Sequence, residues 1–224
     1  DGYLKQRFAG FNHSKASPSA TIAAGIPRGF EKMETTHYSV VDAEGNAVSA
    51  TTTLNGSYGS SVVVTGAGFL LNNEMDDFSV KPGFPNMFGL TGSYANSIQP
   101  GKRMLSSMTP VIVEKEGKLF LVAGSPGGST IPTSVLQVIM NMIDYNMNVW
   151  QAVDTGRFHH QWLPDLISFE RNCIDSLTVE ALKLKGHSLW PVGALGRVNA
   201  IAILEDGTLA GAADRRGDNS ACGW

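Results

Sequence analysis

Thr35–Asn55 reads TTHYSVVDAEGNAVSATTTLN. His37–Asp42 is rich in β-formers, Glu44–Asn46 is a turn around Gly45, and Ala47–Leu54 is a second run of small and β-branched residues. Together they predict an antiparallel hairpin at the start of a sheet. The pattern recurs at Pro110–Glu114 and Lys118–Ala123, which flank Glu116 and Gly117. It recurs again at Val198–Leu204 and Thr208–Ala213, which flank Asp206 and Gly207, the strongest local turn signal in the chain. Between these hairpins the period becomes helical. From Thr133, the residues Val135, Leu136, Ile139, Met140 and Ile143 share one apolar face, and Asn146 is the expected end of that helix. Asn148–Thr155 reads as a short second helix, and Ser176–Lys185 as a third, capped by Asp175 or Ser176 and stopped at Gly186. Strands, helices and strands again predict an α+β fold in which helices cover an antiparallel sheet.

Residues 1–34 have a different texture. Ser14–Gly29 (SKASPSATIAAGIPRG) is rich in small residues, Pro and Gly, without helical or strand period, and reads as a linker or wrapping segment. Tyr3–Phe11 fits the last turns of a helix begun outside this chain, and the absence of an initial Met makes a fragment or processed piece the expectation. The 224 residues suffice for one domain with its own core. A net charge of −3 without a dominant basic patch argues against a nucleic-acid partner. No apolar run reaches the ~18 residues of a membrane span. Cys173 and Cys222 leave both a disulfide and two free thiols open, because sequence separation does not test the geometry a disulfide needs.

Thr35 stands where linker meets strand. A threonine hydroxyl is a weak nucleophile without an adjacent base. As the first residue of a chain it has one: its own α-amine, with a pKa of about 7.7–8.0, near the optimum for a general base. That chemistry requires cleavage between Glu34 and Thr35. Taken alone, Thr35 and Thr36 read as two β-formers.

Seven ordered stretches add to this: TTHYSVVD (Thr35–Asp42), TTTLN (Thr51–Asn55), LLNNEMDDFS (Leu70–Ser79), KPG (Lys81–Gly83), KRMLSSMTP (Lys102–Pro110), GSPGGS (Gly124–Ser129) and RFHHQWLPD (Arg157–Asp165). From Thr35 onward the chain resembles the γ-glutamyltransferases. The resemblance implies an N-terminal-nucleophile αββα sandwich, part of which this chain supplies. It implies a precursor that cuts itself, with residues 1–34 as the tail of the large subunit and residues 35–224 as the catalytic small subunit. The implied activity is acyl transfer from glutathione or another γ-glutamyl compound, through a γ-glutamyl ester of Thr35, to water, amino acids or peptides. No cofactor is implied.

By the same resemblance, Thr53 hydrogen-bonds the nucleophile, and Gly127 and Gly128 form the oxyanion hole. Without the resemblance, Thr53 reads as a half-buried strand residue and GSPGGS as a plain strand-to-helix turn. Asn55, Glu74 and Asp77 match positions that grip the substrate ammonium, and Ser106 and Ser107 match the pair that binds its carboxylate. Two hydroxyls cannot neutralise a carboxylate, and the family's completing arginine comes from the large subunit, so this chain alone is expected to work poorly. Pro82–Ser93 corresponds to a loop over the site. Phe88 stands where bacterial relatives often have Tyr, which puts a hydrogen-bonded latch in doubt and leaves a more open loop as an option. His159, His160 and Asp165 lack metal-ligand spacing and read as structural. His37 reads as a packing residue beside the nucleophile. The family's bacterial members make the periplasm or secretion the expected location. Two other readings stay open: a related acylase or polyglutamate-acting enzyme, which the intact Asp77 and Ser106–Ser107 disfavour, and a catalytically silent interaction domain.

Overall fold

The structure, a computed structural model, describes residues 11–18 and 35–223. The helix expected at Tyr3–Phe11, most of the small-residue stretch and Glu34 lie outside the described residues.

Strands β1 (Thr35–Val41) and β2 (Ala47–Thr53) form the expected hairpin, in register from Thr35 opposite Thr53 to Val41 opposite Ala47. The Asp42 carboxylate accepts from the backbone N–H groups of Glu44 and Asn46 at 3.0 and 2.8 Å, which closes the turn. One short antiparallel pair, β3 (Val63–Val64) with β4 (Phe69–Leu70), follows. Next come β5 (Val111–Lys115) and β6 (Lys118–Gly124), then the helices α1 (Ile131–Ile143) and α2 (Val149–Asp154). A three-stranded sheet contains β7 (Phe158–His159), β8 (Ile167–Glu170) and β9 (Leu189–Val192), with helix α3 (Ser176–Leu184) between its last two strands. The chain closes with β10 (Asn199–Ile203) and β11 (Leu209–Ala213).

Helix ends follow local chemistry. Pro132 occupies the first turn of α1, where a missing N–H loses nothing. That helix stops at Ile143, three residues before the expected Asn146, which takes a positive φ of 51° in the loop. Asn148 and Gln151 form a reciprocal capping box on α2, and Asp175 accepts from Thr178 N–H to cap α3.

The core explains the layering. The antiparallel sheet β11-β10-β6-β5 carries α1 and α2 on one face, where Leu121, Ala123, Ala200 and Ala202 meet Val138 and Val153. The β1–β2 hairpin lies against the other face: Ser49 Oγ donates to Ala123 O at 2.9 Å and Ser39 Oγ to Val122 O at 3.4 Å. Helices, sheet and second sheet are three layers of the αββα sandwich. The hairpin's outer face is open, with Tyr38, Val40 and Val48 each about half exposed. The three-stranded sheet is mixed, since β8 and β9 pair in parallel while β7 and β8 pair antiparallel. Cys173 and Cys222 are both free thiols.

Candidate active site

Thr35 opens β1 directly opposite Thr53, the last residue of β2. The same edge leads on through Thr53 Oγ1, which accepts from Asn55 N–H at 2.9 Å. Asn55 is 4% exposed and adopts a positive φ of 70°. Its Nδ2 donates to Asn73 O at 3.2 Å, and Asn73 Oδ1 receives Gly56 N–H at 2.8 Å. Asn73 precedes the single 3-10 turn Glu74–Asp77. One short path of hydrogen bonds therefore joins Thr53 to the acidic turn.

That turn is electrostatically unsettled. Burial, and then the neighbouring Asp76 charge, pushes the Asp77 carboxyl up to about 6. Burial and the Asp77 charge raise Glu74 as well, and Glu74 Oε2 is buried without a hydrogen-bond partner. A buried carboxylate oxygen without a donor is costly unless a cation or donor arrives.

Asn96, which the sequence reading did not single out, brings the acidic turn to the serine pair. Its Nδ2 donates to Asp77 O at 2.7 Å, while its Oδ1 accepts from Leu105 N–H at 3.0 Å. Ser106 and Ser107 follow Leu105. Asp77, Ser106, Ser107, Phe88 and Ser129 all line one cavity of about 450 Å³. Thr35, Thr53, Asn55, Glu74, Gly127 and Gly128 lie outside its lining. The cavity thus gathers Asp76, Asp77 and both serines, and leaves Thr35 and the glycine pair beyond its wall.

Gly127 and Gly128 take φ of 148° and 53°, conformations that favour glycine, just before α1 begins. A Cβ on Gly127 would come within 2.7 Å of Thr130 Oγ1. Their loop is tied to β1 through His37. This ring is 4% exposed, with Nδ1 at 2.9 Å from Thr51 Oγ1 and Nε2 at 3.0 Å from Ser39 Oγ. Desolvation pushes its pKa from 6.5 to about 4, so it is a neutral packing group, as expected. It covers Gly124, where a Cβ would lie 2.3 Å from the ring, and Asn199 Nδ2 donates to His37 O at 3.1 Å. Strand β1 is therefore fixed against the end of β6, from which the 125–128 loop departs.

His159 and His160 are engaged in other ways. His159 is buried between Thr133 Oγ1 (2.8 Å) and Gln161 Oε1 (3.0 Å), and Gln161 in turn receives Ser129 Oγ–H at 2.7 Å. His160 faces Asp165 at 3.3 Å. The 82–93 loop folds back on itself: Pro85 bridges Thr91, and Asn86 Oδ1 accepts from the N–H groups of Phe88 and Leu90.

The sequence model described as gamma-glutamyltranspeptidase matches residues 1–224. The chain is 50% identical over 203 residues to the glutathione hydrolase proenzyme of Escherichia coli, covering 91% of this chain and 35% of that protein. It is 50% identical over 219 residues to the glutathione hydrolase proenzyme of Pseudomonas aeruginosa, covering 96% of this chain and 38% of that protein. It therefore spans little more than a third of the length of these relatives. A mutant of Helicobacter pylori gamma-glutamyltranspeptidase superposes with a TM-score of 0.78 at 54% identity, over 81% of this chain and all of the matched one. Sequence, layering and site geometry converge, and the chain belongs to the gamma-glutamyltranspeptidase family.

Proposed function

We propose that residues 35–224 are the catalytic part of an autoprocessed γ-glutamyl transferase and hydrolase, and that residues 1–34 end its large subunit. The observation that carries this reading is the register of the first hairpin. It sets Thr35 opposite Thr53, with Asn55 and the acidic turn two hydrogen bonds further along.

In maturation, Thr35 Oγ attacks the Glu34 carbonyl carbon. The Glu34–Thr35 C–N bond breaks, the hydroxyl proton passes to the nitrogen, and water hydrolyses the resulting ester. This leaves a Glu34 carboxylate and a free Thr35 amine. In turnover, that amine takes the Oγ proton while Oγ attacks the γ-carbonyl of glutathione or a similar donor. Thr53 holds Oγ in place. Gly127 and Gly128 N–H groups stabilise the oxyanion, a contribution of roughly 3–4 kcal/mol per donor in comparable sites. The departing amine receives the proton. Water, an amino acid or a peptide then takes the acyl group from Thr35.

Asp77, Glu74 and Asn55 receive the substrate ammonium, and Ser106 and Ser107 its carboxylate, with an arginine from the rest of the precursor. The open face of Tyr38, Val40 and Val48 supports a further layer from that same partner. Location in the periplasm or outside the cell belongs to the same proposal; no described helix is long and apolar enough to cross a membrane.

The test uses the full-length precursor and its Thr35→Ala variant. Wild type should split at Glu34–Thr35 and hydrolyse a γ-glutamyl anilide; the variant should stay whole and fall to background. Turnover by the Ala variant would remove Thr35 from the mechanism.

A further inference from the structure

Phe88 cannot supply a hydroxyl latch, yet the 82–93 loop is attached to the site, and the attachment is made by the residue before it. Met87 N–H donates to Asp76 Oδ2 at 3.0 Å. Its Sδ lies 3.4 Å from Asn55 Nδ2 and 3.5 Å from Asn73 Nδ2. Its methyl Cε packs beside Gly56, standing 3.5 Å from where a Cβ there would be, an ordinary van der Waals distance. A second strut runs from Asn86 Nδ2 to Asp76 O at 3.3 Å. The partners of Met87 thus come from the 55–56 corner on one side and the 73–76 segment on the other.

The chemistry of these contacts fixes more than the loop. A thioether sulfur and a carbonyl oxygen are both acceptors. Asn55 Nδ2 has one of each, Met87 Sδ and Asn73 O. Both therefore demand the NH₂ end of the Asn55 amide on their side, and the amide oxygen must face the other way. An amide oxygen held in that sense is what a substrate ammonium needs.

We propose that Met87 is a positioning residue that fastens the 82–93 loop and orients the Asn55 amide, so that loop closure and ammonium recognition are one event. The second half rests on the assignment of Asn55 to the ammonium made above. Met87→Ala removes both the packing and the acceptor, whereas Met87→Leu keeps the bulk and loses only the acceptor.

The experiment compares full-length wild type, Met87→Ala and Met87→Leu by two readouts. One is the kinetics of γ-glutamyl anilide hydrolysis; the other is the rate of chymotrypsin nicking at Phe88 without substrate. Met87→Ala should raise KM about tenfold with kcat within about twofold, the signature of lost binding rather than lost chemistry. It should also speed nicking. Met87→Leu should nick at the wild-type rate and still raise KM, by about threefold. Unchanged KM and unchanged nicking in Met87→Ala would overturn the proposal, as would a fall in kcat at constant KM in both variants. A wild type inactive on the anilide would remove the functional assignment of Asn55; the nicking rates of Met87→Ala and wild type would still decide whether Met87 fastens the loop.

Discussion

Glu170 and Asp214 sit in a closed network with Arg157 and Arg216, while Glu74, Asp76 and Asp77 crowd one turn and form no ion pair among the described residues. In the first cluster, Arg216 grips both Glu170 oxygens at 2.7 Å, and Arg157 meets Asp214 at 2.7 Å with both side chains almost fully buried. Backbone donors fill the remaining places: Leu195 N–H and Arg157 N–H on Glu170, Val198 N–H and Arg216 N–H on Asp214. Burial alone would raise both carboxyls. The Arg216 hydrogen bonds outweigh it at Glu170, and the Arg157 charge outweighs it at Asp214, so both stay below their usual range. In the second cluster burial goes unopposed, and Glu74 and Asp77 rise. A satisfied acid cluster holds a fold together; the unsatisfied one is where we propose that a cation from outside binds.

The satisfied network also reaches the glycine loop. Glu170 receives Leu195 N–H, and Arg157 Nη1 donates to Leu195 O at 2.8 Å. The next residue, Gly196, packs so closely that a Cβ would lie 2.6 Å from Ser134 Oγ and 2.8 Å from Ser125 Oγ. Arg197 N–H then donates to Ser125 Oγ at 2.9 Å. The network therefore braces the segment behind the 125–128 loop.

The sharpest way to break the contrast is to remove one charge from each cluster. Asp214→Ala leaves Arg157 buried and unpaired and should cost about 3–5 kcal/mol of stability, read by chemical denaturation. Asp77→Asn should weaken binding of a γ-glutamyl ligand by about a hundredfold, on the order of 2.7 kcal/mol. Yet its melting temperature at pH 7.5 should be no lower than wild type. The sign follows from linkage: Asp77 titrates near 6 folded and 3.8 unfolded, so the folded state holds more protons in that window and loses stability as pH rises through it. Asparagine carries no charge and escapes the loss. If Asp77→Asn melts well below wild type, the acidic turn is structural and the contrast fails.

Packing between the nucleophile strand and β6 comes next in size. Gly124→Ala should cost about 1–3 kcal/mol, because the His37 ring occupies the space of the new methyl, and His37→Ser should relieve most of that cost. Two effects depend on pH. Competitive inhibition by glutamate should weaken as pH falls through about 6 and Asp77 takes a proton, and Asp77→Asn should abolish this dependence. His37 is neutral in the folded state down to about 4 but protonates near 6.5 when unfolded. Stability should therefore decline as pH falls between those values, by at most about 1.4 kcal/mol per pH unit, and His37→Gln should flatten that slope.

Local chemistry was legible before the structure: the first hairpin, the Asp175 cap and the Asp206–Gly207 turn each depend on neighbours within a few residues. Likeness in seven short stretches nominated the site residues. What sequence could not disclose lies in contacts between distant segments. Arg157 stood in a recognised stretch, but its partner Asp214 is 57 residues away and carries no local mark. Asn96 looks like any loop asparagine until its amide is seen spanning Asp77 and Leu105. The parallel pairing of β8 with β9 depends on α3 returning the chain across the sheet, and β7 is too short to give a period.

Intact-mass measurement of active, full-length protein bears most directly on the nucleophile. A fragment whose first residue is Thr35, gaining the mass of a γ-glutamyl group when donor is added and the reaction is quenched in acid, is the predicted result. Active protein with the Glu34–Thr35 bond unbroken would contradict it.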